Sequence, residues 1–570
     1  MSTAQSTPPT AAGRSLHRRR VGGWALLAIP AVAFLAVFFA YPTLDLMGQA
    51  FTSFVAPQSH GLDNFAWFFS SDLNRTVLVR TIWTSLLVTA VCVLVGYPYA
   101  YLMTQVGPRL RLLLLGIVTA SFLSSLLVRS FAWVVLVQPK GPINNLLGTF
   151  GLGPVHLSGS TAAVVLAMAQ IMVPMLILPV FTNLMAMDRR LPLAARSLGA
   201  HPATAFLRIV LPLSIPGVAA GCLMVFALTL GFYVTPTLVG SPQNALLSQL
   251  VVTQVSQLLA FGRAGALAII LLVLVLIVLG AVAWLARRWT AGTSFGGAQT
   301  GAELTSWSKA RIAVWTLFAL VAVAWLIVPS AIVVPISFSE RASFAWPPKL
   351  FSTQWYDQLF TDSVWTTAIW NTIRIGALTV VASVALGTPA ALALVRSRAR
   401  WTSALNGLFL APIIVPVVVT GIGLYSLVLR WHLVGTTTGF VVAHTALALP
   451  FVIITIVAGL RTFDIRLEDA AASLGAGPVD VFFSVTLPVI RPALVSAAFI
   501  AFVISFDETA LSIFVSTTRM QTLPVAIYNG ITRQTNPTVA AASTVALVVT
   551  LIGLLLAFLV QHRQSRRVFA

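Results

Sequence analysis

Long apolar stretches, bounded by charge or by Pro/Gly clusters, recur along the whole chain. Trp24 to Ala40, Ala162 to Val180, Ala264 to Leu285 and Val539 to Val560 approach or exceed the roughly 20 residues that carry a helix across about 30 Å of hydrocarbon. A backbone in lipid must satisfy its own polar groups, so runs of this kind predict helices. The pattern predicts twelve spans. Six lie near 22–42, 80–104, 110–137, 161–184, 214–235 and 263–287. Six more lie near 311–336, 369–395, 403–430, 437–461, 491–515 and 539–561.

Composition sharpens that picture. Of 570 residues, 58% are hydrophobic and 8% charged, against about 25% charged in soluble domains. The net charge of +20 is spread between spans rather than gathered on one face, which reads as a positive-inside bias and not as a nucleic-acid surface. Arg14, Arg18, Arg19 and Arg20 precede the first span, and Arg109, Arg111, Arg189, Arg190, Arg396, Arg563 and Arg566 lie between or after spans. Both termini are therefore expected inside, with the first helix retained. Cys92 and Cys222 lie in apolar segments, so no disulfide framework is implied. A Gly/Ser/Thr-rich stretch near the middle reads as a linker. The expected organisation is an N-terminal tail (1–21), a first membrane domain (22–288), a linker (289–310), a second membrane domain (311–561) and a C-terminal tail (562–570).

Two segments between spans repeat each other. Asp188 to Pro216 and Asp464 to Pro492 align without gaps, 276 positions apart, with 14 identities in 29 positions. In each, an Ala-rich run stops at Gly199 or Gly475, where a left-handed C-cap is expected. Pro202 or Pro478 then suits the first turn of a second short helix. The predicted product is a helical elbow at the cytoplasmic face. These segments resemble the E-A-A motif of ATP-binding-cassette importer permeases, with Gly six residues after the acid and then I-x-L-P. The first copy has Leu193-Ala194-Ala195, Gly199, Ile209 and Leu211-Pro212. The second has Asp469-Ala470-Ala471, Gly475, Val485 and Leu487-Pro488. The leading acid is Leu193 in one copy and Asp469 in the other.

That resemblance implies an all-α, type I importer permease fold with two repeated halves of about six helices fused in one chain. It also implies that ATPase subunits dock on the elbows through Ala194, Ala195, Gly199, Pro212, Asp469, Ala470, Ala471, Gly475 and Pro488. No G-x-x-x-x-G-K-[ST] phosphate loop occurs in the sequence, so ATP and Mg are expected on a partner ATPase homodimer. The chain itself is expected to be no enzyme, with no catalytic residues, no metal site and no cofactor of its own. The other expected partners are an extracytoplasmic substrate-binding protein and the lipid of a bacterial cytoplasmic membrane.

Charges inside spans are costly and usually functional. Asp507 and Glu508 stand together in the eleventh predicted span, where the first half offers Gly231 and Phe232. Two readings stay open: a carboxylate lining for a cationic substrate, or a structural role in which the pair caps a broken helix or pairs with Arg519 or a span arginine such as Arg129 or Arg374. Trp133, Phe232, Tyr233, Tyr425 and Trp431 could add aromatic faces for a cation or form an interfacial belt. His432 and His444 stand alone and read as structural. Residues 122–263, with Arg129-Ser130-Phe131-Ala132-Trp133 and Gly231-Phe232-Tyr233-Val234, are similar to the first permease of spermidine/putrescine importers. Residues 336–561, with Ser505-Phe506-Asp507-Glu508 and Leu523-Pro524-Val525-Ala526-Ile527-Tyr528, are similar to the second. The resemblance implies polyamine passage at Asp507 and Glu508. Related permeases for ferric iron, thiamine or aminophosphonate are the alternatives, and an ion-driven secondary transporter is a separate class that leaves the elbows unexplained.

Overall fold

The computed structural model describes residues 24–53, 57–188, 190–290, 309–397, 402–533 and 537–568. The predicted N-terminal tail, Arg189 and most of the linker lie outside them. Among the described residues, nine helices are long and apolar enough to cross a membrane. Two helix pairs are apolar enough together but sharply bent, each a broken span or a re-entrant loop: Pro108–Leu123 with Leu126–Leu136 at 92°, and Thr402–Ile414 with Val417–Arg430 at 97°. The last predicted span falls in the helix Thr538–Val568. A short antiparallel hairpin, Thr52–Ser53 with Ser59–His60, is the sheet among the described residues.

The bends correct the straight spans predicted at 110–137 and 403–430. At the first break Ser124 and Ser125 are extended, with ψ of 145° and 131°. At the second, Pro416 has ψ of 131°, lacks an N–H, and disfavours helical geometry at Val415 before it. The spans predicted at 214–235 and 491–515 also stop early. They end at Leu230 and Asp507, and short helices Val234–Val239 and Ala510–Val515 follow.

The halves share one packing scheme. Asp72–Gln105 packs on Thr161–Ala186, and Ser363–Arg396 packs on Thr437–Arg461. The second half also carries a register that the elbow offset conceals. Leu247 N–H donates to Thr81 Oγ1 at 2.9 Å, and Leu523 N–H donates to Thr372 Oγ1 at 2.7 Å. Beside them, Arg80 donates to Ala245 O and Asn371 donates to Gln521 O. The acceptor helices are 291 positions apart and their partners 276. A 15-residue excess in the first half accounts for the difference, in the stretch containing the helix Pro142–Thr149. The second half turns directly from Arg430 to Thr437.

Sequence domains and packing do not coincide. Trp24–Gln49 packs on the second half's bent pair, while Lys309–Ser337 packs on the first half's. Buried Gln170 Nε2 donates to Leu326 O at 3.2 Å, and Arg430 pairs with Asp45 at 3.0 Å, so each exchanged helix is also pinned by a polar contact. Large apolar side chains such as Leu94, Val314 and Val381 are 67–73% exposed, as expected where lipid replaces water outside.

Candidate functional site

Each elbow begins with an aspartate. Asp188 Oδ1 accepts from Arg190 N–H at 2.9 Å, and Asp464 Oδ1 accepts from Arg466 N–H at 3.0 Å. These bonds satisfy donors that a helix start leaves free. The Arg466 guanidinium, 3.0 Å away, also holds the Asp464 carboxyl below the usual carboxylate range. The elbow helices Arg190–Ser197 and Arg466–Ser473 end in the same cap. Ala200 N–H reaches Ala195 O at 3.0 Å with Gly199 at φ 89°, and Ala476 N–H reaches Ala471 O at 3.1 Å with Gly475 at φ 91°. A Cβ on either glycine would meet nothing within 4 Å. The glycine is needed for its backbone angle, not for space.

Beyond the cap, the predicted short second helix is continuous with the span. Pro202–Ala205 passes through a π-turn at Phe206–Val210 into Leu211–Leu230, and Pro478–Val481 passes through Phe482–Thr486 into Leu487–Asp507. Pro212 and Pro488 sit just after these turns, where a missing N–H favours the wider winding. Any push on an elbow therefore enters a span directly. Ala194, Ala470 and Asp469 are exposed beside the caps. Leu198 and Leu474 are 89% and 90% exposed, the most exposed large apolar side chains among the described residues. Sequence reasoning missed this pair, although the repeat holds it at one register.

The acidic pair lies where the halves cross. Asp507, at the end of its span, reaches the break of the first half's bent pair. Its carboxylate accepts from Ser125 Oγ at 2.6 Å and from Leu126 N–H at 2.9 Å. Leu126 opens a helix whose own N-cap side chain makes no such bond, so the cap comes from the other half. Buried Arg129, in the same helix, donates to Ser124 O and Ile171 O and lies within electrostatic reach of Asp507. Glu508 accepts from Leu511 N–H at 2.8 Å and caps Ala510–Val515. His444, 1% exposed, contacts Ser505 Oγ at 2.7 Å and Ser512 Oγ at 2.9 Å, one on each side of this interruption.

The reciprocal crossing is apolar. Gly231 stands 276 positions before Asp507, and Pro416 stands 291 after Ser125. A Cβ on Gly231 would lie 2.6 Å from Pro416 Cβ. One crossing is thus a hydrogen-bonded carboxylate, the other a bare backbone against a proline. The second offset would have exposed this correspondence in the sequence, but only after the inserted stretch had been recognised.

The structure does not gather the predicted aromatics around the carboxylates. Trp133 is 3% exposed within the core. Phe232 packs against a different cluster, with Val165 and Met168 among its members. Tyr233 O–H meets Tyr528 O–H at 3.2 Å across the halves, and Tyr425 faces Phe514 with ring centroids 6.2 Å apart. A cavity of about 30 Å³ lies beside Asp507, among Leu123, Phe502 and Phe506. It has room for water but none for an organic cation, so this conformation is closed there.

A family model described as the binding-protein-dependent transport system inner membrane component matches residues 93–291 and again 383–569. The chain belongs to that family. Its permease segments begin at nearly the same point of Asp72–Gln105 and of Ser363–Arg396, so the family model independently finds two repeats. Among relatives, PotB of Haemophilus influenzae, a spermidine/putrescine transport system permease protein, is 31% identical over 215 residues. That match covers 36% of this chain and 75% of PotB. PotC of the same organism, also of a spermidine/putrescine system, is 31% identical over 252 residues, covering 44% and 96%. The putrescine permease PotI of Escherichia coli is 32% identical over 253 residues, covering 43% and 89%. A crystal structure of a bacterial transporter for the acidic polysaccharide alginate overlaps 48% of this chain at a TM-score of 0.39 and 21% identity, too loosely to carry an argument. A multi-pass inner-membrane permease of two fused repeats is the identity these findings support.

Proposed function

We propose that this chain is the translocation subunit of an ATP-driven importer for a small organic cation of the polyamine class, working by alternating access. The observation that carries the reading is the pair of repeated elbows with the same cap geometry. Each presents an exposed leucine at a glycine cap, and the short helix that follows the cap continues into a span. An apolar knob on a water-facing polar helix calls for a partner surface, and two copies call for a partner with two equal surfaces. An ATPase homodimer meets that need and supplies ATP and Mg. A binding protein would deliver substrate from the opposite side, with both termini of this chain cytoplasmic. The PotB, PotC and PotI relatives support the substrate class. The capped carboxylates support a passage that opens only when the crossing at Asp507 comes apart.

The test is uptake of labelled spermidine by cells that express the chain with its cognate ATPase and binding protein. Uptake is expected to vanish when the ATPase is inactivated. Transport by the chain without an ATPase refutes the reading. Gly475→Val is expected to uncouple hydrolysis from uptake, whereas Gly475→Asn, which tolerates a positive φ, retains most coupling. Full coupling in the valine variant would remove the elbow from the mechanism.

A further inference from the structure

The second elbow is tied to the membrane domain by a buried ion pair whose residues are not repeated at the matching positions of the first. Arg396 ends the helix Ser363–Arg396, Glu468 lies in the first turn of the elbow helix, and Thr486 closes the π-turn after it. Arg396 Nη2 donates to Glu468 Oε1 at 2.6 Å, and Thr486 Oγ1 donates to the same oxygen at 2.6 Å. The guanidinium also covers the Phe463 ring, with Cζ 5.3 Å from its centroid. The two charged side chains are only 7% and 15% exposed. The pairs Arg75–Asp72, Arg430–Asp45 and Arg466–Asp464 each keep at least one partner more than half exposed.

Stabilisation of the elbow helix alone does not account for this arrangement. An acid in the first helical turn helps from a solvated position, so helix formation needs no arginine from another element. Withdrawing both charges from water has a desolvation cost that exposed pairs avoid, and what the burial adds is a fixed geometry between three elements. The same four residue types do not recur at the matching positions of the first half. The positions matching Arg396, Phe463, Glu468 and Thr486 are Gln105, Met187, Pro192 and Val210. Pro192 and Val210 offer no side-chain donor or acceptor.

We propose that Arg396, Glu468 and Thr486 form a latch that makes the second elbow and the helix Ser363–Arg396 move as one body. The proposal rests on the coupling role given to the elbows above. Motion at the first elbow then enters the membrane through one helix, Pro202–Leu230, and motion at the second through two. The added route is long. About 36 Å from Arg396, at 1.5 Å per residue, the same helix holds Gln521 O through Asn371 and Leu523 N–H through Thr372. An inward pull on the latch therefore reaches the segment that follows the acidic pair and its cap. The three residues act as positioning residues, since none of them touches substrate.

The experiment uses the full chain with its cognate ATPase and binding protein in proteoliposomes, with labelled spermidine as the probe. Spermidine taken up per ATP hydrolysed is measured for each variant. In Glu468→Gln the ratio is expected to fall about tenfold while the hydrolysis rate stays within twofold. The swap Arg396→Glu with Glu468→Arg restores at least half of it. Thr486→Val, a mild variant that leaves the ion pair intact and should assemble normally, lowers the ratio two- to fourfold. An unchanged ratio in Glu468→Gln, or a loss that the swap does not recover, overturns the latch. Gly475→Val in the same vesicles separates the two claims. If it uncouples and Glu468→Gln does not, the latch is wrong and the elbow reading stands. If neither uncouples, both fall.

Discussion

Replacing Asp507 with alanine should free the start of a helix in the opposite half. Leu126 N–H and Ser125 Oγ would lose their shared acceptor, and Arg129 would lose a nearby compensating charge. Hydrogen bonds to charged groups contribute about 1.5–3 kcal/mol in soluble proteins, while those measured between helices in bilayers average nearer 0.6 and reach about 1.7 kcal/mol. Two bonds toward the upper end of the bilayer scale put the local cost at about 2–3 kcal/mol. That is a factor of about 30 to 150 in the opening equilibrium. Leu126 N–H is among the first donors of its helix, which have no intrahelical acceptor, so its protection reports the cap. Hydrogen exchange on the full chain in lipid nanodiscs, read on a peptide covering Leu126, should show that acceleration. A change below threefold in a folded Asp507→Ala variant would refute the cap. Asp507→Asn keeps one acceptor oxygen and should preserve most protection. If the carboxylate also attracts a cation, the asparagine variant will lose spermidine uptake while its exchange stays near wild type.

Three further outcomes follow from the same geometry. Gly231→Ala forces a Cβ to within 2.6 Å of Pro416 Cβ and should destabilise the second crossing by about 1–3 kcal/mol, the usual cost of overpacking. The readout is a lower thermal midpoint in detergent, and an unchanged midpoint would mean that the halves do not touch there. His444→Leu removes the imidazole partner of Ser512 and leaves Ser505 only its long 3.5 Å contact to Thr379, at about 1–3 kcal/mol for a buried group left unpaired; unaltered exchange across 505–512 would sink this assignment. Leu198→Ser combined with Leu474→Ser should leave the membrane fold intact, because both side chains are about nine-tenths exposed. Copurification of the ATPase should nonetheless fall at least tenfold, and full recovery of the complex would rule out docking through these leucines.

Much of this protein is legible in its sequence because lipid makes local composition decisive. A run of twenty apolar residues must form a helix to satisfy its backbone, so the spans and the all-α class follow without tertiary information. The elbows follow too, since a glycine at a left-handed cap and a proline in a first turn are local requirements. Gly199 and Gly475 adopt the positive φ their positions predict. What the chain could not reveal locally is how spans break and which half completes which. Ser124 and Ser125 read as ordinary polar residues in an apolar stretch, yet the helix bends there because Asp507, 382 residues away along the chain, supplies the acceptor that the new helix start needs. The exchange of Trp24–Gln49 and Lys309–Ser337 between halves is likewise invisible, since both helices are equally apolar wherever they pack. The same is true of the latch, where Arg396 looks like one more inner-face arginine until it and Thr486 converge on Glu468. Composition and cap chemistry act within a few residues and can be read in order. A capping bond or ion pair between halves depends on which groups the packed helices bring within 3 Å, and only the tertiary structure decides that.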